Sequence, residues 1–131
     1  MELQVGVKIL LKNKEGNFLV LRRNPEKYSE VHKLLDIPGG RIEPGSTLMQ
    51  NLQREILEET GLVLSGEPKL IAAQDILRPK RHVVRLTYLG EAEGEIKISD
   101  EHSEFIWISK KEMMGQEGLD PYLEEVLQKF L

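Results

Sequence analysis

A chain of 131 residues, 40% hydrophobic and 31% charged, has the length and composition of one globular domain and is too apolar for a disordered one. Its formal charge of −4 argues against a general phosphate-backbone binder, so no stable nucleic-acid binding is expected. The absence of cysteine excludes a disulfide framework, a thiolate metal site and a cysteine nucleophile, so any metal must rest on oxygen or histidine.

The N-terminal stretch MELQVGVKILLKNKEG is interrupted by Gln4, Lys8 and Lys12. It holds neither a signal-peptide core nor a membrane-length run, and a cytoplasmic protein with no membrane partner is expected. Residues 3–12 alternate, with Val5, Val7, Ile9 and Leu11 on one side. Lys14-Glu15-Gly16-Asn17 then supplies turn chemistry before Phe18-Leu19-Val20-Leu21, which predicts a β-hairpin. A polar loop over 24–33 follows, and Pro38-Gly39-Gly40 forces a further break.

The first strong helix signal opens at Thr47, a capping hydroxyl with Gln50 three residues on, and closes at Gly61. Met49, Leu52, Ile56 and Thr60 share one side of it, and Asn51, Glu55, Glu58 and Glu59 a neighbouring side. Strands are expected over 68–77, 83–89 and 105–108, with a turn over 90–94. Asp120 as cap and Pro121 in the first turn open a terminal helix carrying Leu123, Val126, Leu127, Phe130 and Leu131 at helical intervals. Without repeat or linker, the pattern reads as a single α/β domain, 1–131, with a mixed sheet.

Like charges three and four residues apart on a helix cost about 0.2–0.5 kcal/mol per pair, which a solvated acidic face tolerates. Their surroundings change the reading. Gly40 is followed, after thirteen residues, by Arg54-Glu55-Ile56, one residue, Glu58-Glu59, one residue, and Gly61-Leu62. This resembles the Nudix box: Gly, five residues, Glu, seven residues, Arg-Glu-aliphatic-x-Glu-Glu-x-Gly-aliphatic. Ser46 stands where the first motif glutamate is expected, so one carboxylate that supports metal binding or orients water in the family is missing.

The resemblance implies an α/β/α sandwich with a mixed β-sheet, a catalytic helix over about 47–60 and a C-terminal helix over about 121–130. It also implies a hydrolase that uses Mg2+, with Mn2+ as the alternative, to split a nucleoside diphosphate linked to another group. A shielded diphosphate needs cations to neutralise its oxygens and to lower the pKa of the attacking water, and magnesium favours such carboxylates. Carried onto matching positions, Glu58, Glu59 and the Gly40 carbonyl, freed by its turn, would be metal ligands. Glu55 would bind metal or act as base, and Arg54 would orient a carboxylate, with Glu58 in reach one turn on.

Relatives often add a carboxylate ahead of a late strand, which selects Glu101, six positions before Trp107, with Glu104 as the other choice. Of Arg22 and Arg23 only one should face the phosphates, and the resemblance favours Arg23. The basic run 78–85 places Arg78 as a candidate for a polyphosphate tail, and Tyr28 is a candidate stacking ring. Tyr88 and Phe18 read as core, and the three histidines show no metal-ligand spacing. Nucleoside triphosphates are the leading small-molecule substrate. ADP-ribose, dinucleotide polyphosphates, a non-hydrolytic nucleotide-binding module left by the Ser46 change, and a homodimer remain alternatives.

Overall fold

Alternation puts Val7, Ile9 and Leu11 on one face of β1 (Glu2–Lys12) and Leu10 on the other, so the strand is buried from both sides. That double burial makes β1 the spine of the fold in the computed structural model, which describes residues 1–27 and 35–131. β1 runs parallel to β6 (Arg81–Glu93) from Glu2↔Arg81 to Lys12↔Glu91, and antiparallel to the short β4 (Gly39–Arg41). β6 in turn pairs antiparallel with β5 (Val63–Leu77).

The expected hairpin forms only at its turn. The Asn13 N–H donates to the Asn17 carbonyl at 2.9 Å, and β1 meets β2 (Phe18–Arg23) at Lys12↔Phe18 alone. Beyond that point β2 leaves β1 and pairs with β3 (Leu35–Asp36) and β7 (His102–Ile108). The sheet therefore runs β3-β2-β1-β6-β5, with β4 on β1 and β7 on β2. This mixed sheet has a core on each face.

On one face α1 (Leu48–Thr60) sets Leu52 and Ile56 against Val7, Ile9, Leu11, Leu19 and Leu21. On the other, α2 (Lys110–Met114) and α3 (Pro121–Phe130) bring Met113, Leu123, Val126 and Leu127 onto Leu10, Phe18 and Val20. The result is the α/β/α arrangement. Thr47 and Gln50 form the reciprocal capping box, and Gly61 ends α1 in the left-handed region at φ 73°. Asp120 caps α3 by accepting from the Leu123 N–H.

Three expectations change. The break read over 90–94 is displaced, because β6 continues through Gly90 to Glu93; a Cβ at Gly90 would stand 3.1 Å from Pro68, so this glycine allows a close strand approach. The break at Pro38-Gly39-Gly40 leads directly into β4, with Gly40 opposite Val7, so Gly40 is a strand residue instead of part of an open turn. At the end of the terminal helix Phe130 is exposed, whereas Leu131, just beyond it, packs on the core. The short elements β3, β4 and α2 had no counterpart in the sequence reading. Among the described residues, no helix is long and apolar enough to cross a membrane.

Candidate active site

The loop that feeds α1 is fixed from both ends. At Gly39 the backbone has φ 144° and an added Cβ would stand 2.0 Å from the Val7 carbonyl oxygen, a contact that only glycine avoids. Downstream, the wholly buried Asn51 accepts from the Glu43 N–H at 2.8 Å and donates to the Ser46 and Thr47 carbonyls at 3.2 and 2.7 Å. Asn51, expected on the acidic side of the helix, is thus the clamp that holds the loop onto it.

Between this loop, α1, the middle of β1, the end of β2 and the first half of β6 lies a cavity of about 410 Å³. Glu55, Glu59 and Glu101 line it together with Lys8, Arg23 and Arg85, the cations coming from the strands. Gly40 lines it too, and the Glu55 carboxyl lies so close that a Cβ on Gly40 would meet it at 2.8 Å. Such a cavity offers oxygen donors and positive charge within one small volume, the pair of features a diphosphate and a divalent cation need together.

Each carboxylate has a different setting. Glu59 is buried and accepts from the Gly39 N–H at 2.9 Å. Burial pushes its carboxyl up to about 8, opposed by Lys8 and the Gly39 hydrogen bond and reinforced by Glu55 and Glu101. Glu55 is held by Arg54, whose Nη2 donates to Glu55 Oε1 at 3.0 Å. Arg54 also pairs with Glu43 at 3.0 Å and donates to the Arg41 carbonyl at 3.3 Å, and Glu55 is the first cause of its raised pKa. The carboxylates it orients are Glu55 and Glu43, whereas Glu58, the expected partner, acts on it only through its field.

Glu58 itself is exposed and does not line the cavity. Arg23 lines it and reaches Asp36 at 3.4 Å, whereas Arg22 pairs with Glu104 on the opposite side of β2, as strand alternation requires. Arg78 lies at the exposed tip between β5 and β6, beside Glu2, Pro79, Lys80 and Arg81 and away from the cavity. From that basic run it is Arg85 that enters, because it sits opposite Gly6 on the face of the sheet that carries Lys8. Tyr28 lies outside the described residues.

Four participants were not singled out. Lys8, buried in the middle of β1, pairs with buried Asp36 at 2.8 Å. Burial raises the Asp36 pKa, but Lys8 beside it outweighs that effect and holds the carboxyl below its ordinary value. A lysine flanked by Val7 and Ile9 in an apolar strand was the available signal. Arg85 pairs closely with Asp120 and lies 5.6 Å from the Tyr122 ring centre. Glu43, three positions before Ser46, supplies the carboxylate on Arg54.

The fourth is His102. The ladder between β2 and β7 sets it opposite Arg23 at an irregularity in register, and the Asn24 N–H holds the adjoining Glu101 carbonyl at 2.8 Å. Burial, with Arg23 and Lys8 nearby, lowers the imidazole to about 4, so the ring is neutral at pH 7. Donor atoms of Glu59, Glu101 and His102 all fall within 4.8 Å of one another, a spacing that fits a divalent ion.

The NUDIX domain family model matches residues 2–130. The chain is 29% identical over 106 residues to a Bacillus subtilis (strain 168) protein provisionally named 8-oxo-dGTP diphosphatase, covering 79% of this chain and 65% of that protein. It is 29% identical over 93 residues to the ADP-ribose pyrophosphatase of Methanocaldococcus jannaschii, covering 70% of this chain and 53% of that one. The chain thus spans between about half and two-thirds of these two relatives. Its structure is similar to that of the MutT protein from Methanosarcina mazei Go1, with a TM-score of 0.85 and 28% identity over 98% of this chain and 93% of that one.

Proposed function

The chain belongs to the NUDIX domain family, and from that premise we propose that it hydrolyses a nucleoside diphosphate linked to another group, nucleoside triphosphates first among them. The observation that carries this reading is the cavity lined by Glu55, Glu59 and Glu101 together with Lys8, Arg23 and Arg85. Water attacks phosphorus and the phosphoanhydride bond breaks, so a triphosphate yields monophosphate and pyrophosphate.

Each of the chain's own groups has a task in that reaction. Lys8, Arg23 and Arg85 supply positive charge to the phosphate oxygens, and their strand positions limit reorganisation when substrate enters. Glu55, held by Arg54 at 3.0 Å, would receive the proton of the attacking water or join the metal ligands. Glu59 and Glu101 would hold Mg2+ or Mn2+, with the carbonyl of Gly40, which lines the same cavity, as a further oxygen donor. The buried carboxyl of Glu59 and the convergence of three donor groups support that fit. When bound, such an ion neutralises phosphate charge and lowers the pKa of water.

The relatives named for 8-oxo-dGTP and for ADP-ribose define the first substrates to test. Full-length protein incubated with those two compounds, unmodified triphosphates and dinucleotide polyphosphates should release monophosphate from at least one in the presence of Mg2+ or Mn2+. Glu59→Gln and Glu55→Gln should each remove that turnover. Nucleotide binding without turnover under either ion would overturn the hydrolase reading and leave a binding module.

A further inference from the structure

A buried neutral imidazole has an N–H to satisfy and a lone pair to place. His102 meets neither need among the described residues: its Nδ1 is buried without a hydrogen-bond partner, and its Nε2 stands 4.0 Å from Glu59 Oε1, beyond hydrogen-bond reach. Over nine-tenths of this residue is shielded from solvent, yet it lines the cavity. A group so placed invites an explanation from something that sits between it and the carboxylates.

The separations favour a cation. An ion that makes bonds of about 2.1 Å to oxygen and nitrogen can lie between two donors as much as about 4.2 Å apart. Glu59 Oε1 and His102 Nε2, at 4.0 Å, meet that limit without movement. Glu101, whose carboxylate joins the same group within 4.8 Å, needs only a small rotation, and it is exposed enough to make one. The neighbouring ladder pair Arg23↔His102 and the Asn24 contact to the Glu101 carbonyl fix the backbone on which both donors ride.

We propose that His102 supplies a nitrogen ligand to the cation held by Glu59 and Glu101, and thereby tilts the site away from magnesium toward manganese, cobalt and zinc. Magnesium favours oxygen-only surroundings, whereas imidazole strengthens binding of the later divalent metals in the Irving–Williams order. The inference rests on the cation-dependent reading of the site given above and sharpens which ion that reading requires.

Electron spin-echo spectroscopy of Mn2+ bound to the full-length protein tests it directly, because a coordinated imidazole nitrogen modulates the echo. The wild type should show that 14N modulation, and His102→Gln should lose it while still binding Mn2+. The ratio of Mn2+ to Mg2+ affinity, measured by calorimetry, should fall at least about tenfold in His102→Gln. Mn2+ binding that depends on Glu59 but shows no nitrogen coupling in the wild type would overturn the proposal and leave the hydrolase reading standing. An unchanged affinity ratio in a folded variant would do the same. Failure of the wild type to bind any divalent ion would overturn both. Should the variant not fold, the wild-type spectrum alone decides.

Discussion

Replacing Glu59 by Gln should make the metal-free protein less sensitive to alkali. In the native state the Glu59 carboxyl is pushed up to about 8 by burial, whereas an unfolded glutamate titrates near 4.5. The native state therefore holds a proton that the unfolded state has released. Its contribution to stability is complete below the unfolded value and is lost as the pH rises toward and through about 8. Each pH unit inside that window is worth about 1.4 kcal/mol, so wild-type stability should fall by roughly 2–3 kcal/mol from this group between pH 6 and pH 9. Gln resembles the protonated acid, can still accept from the Gly39 N–H, and does not titrate. Urea unfolding in chelator at pH 6 and pH 9 measures the difference, and with about 1–3 kcal/mol per molar urea the gap between midpoints should widen by about 1 M or more. His102 and every other titrating group is common to both proteins and cancels to first order. Parallel curves for wild type and variant would refute the reasoning, since they would mean that Glu59 is ionised and solvated in the native state.

Lys8→Met should destabilise by about 3–5 kcal/mol in urea unfolding, toward the lower end because Arg23 remains 3.4 Å from Asp36, and adding Asp36→Asn should recover part of the loss. Ser46→Glu should change kcat/KM by less than about threefold, because Glu43 already holds Arg54 at 3.0 Å, whereas Glu43→Gln should lower kcat by about tenfold with little change in KM in steady-state assays. Gly39→Ala should abolish soluble, cooperatively melting protein because its Cβ would stand 2.0 Å from the Val7 carbonyl oxygen. Gly45→Ala, at φ 91° but with nothing within 4 Å, should cost only about 1–2 kcal/mol on circular-dichroism melting.

What the sequence disclosed was what it encodes locally. Thr47 with Gln50, and Asp120 with Pro121, announce helix starts because the partners lie within one turn, and both caps form. Ser109-Lys110-Lys111-Glu112 carries the same signal and opens α2, yet it passed unread behind the strand before it. The parallel pairing of β1 with β6 has no local signature, and that pairing decides that Arg85 enters the cavity while Arg78 stays at an exposed tip. Gly90 misled for a related reason: a glycine that admits a neighbouring strand looks, along the chain, like one that turns it. His102 was invisible as a donor because it meets Glu59 only through the folding of β7 onto β2, so spacing along the sequence could not reveal it.

The pairing of Glu2 with Arg81 also has a temporal side. During synthesis at about 5–20 residues per second, the apolar strand that carries Ile9, Leu10 and Leu11 leaves the ribosome roughly 80 residues ahead of its parallel partner. For about 4–16 s the edge of β1 that will meet β6 stays unpaired, with only the early, short β4 to pair the other side, and in that interval a holding chaperone, or a neighbouring nascent chain, competes with the native fold.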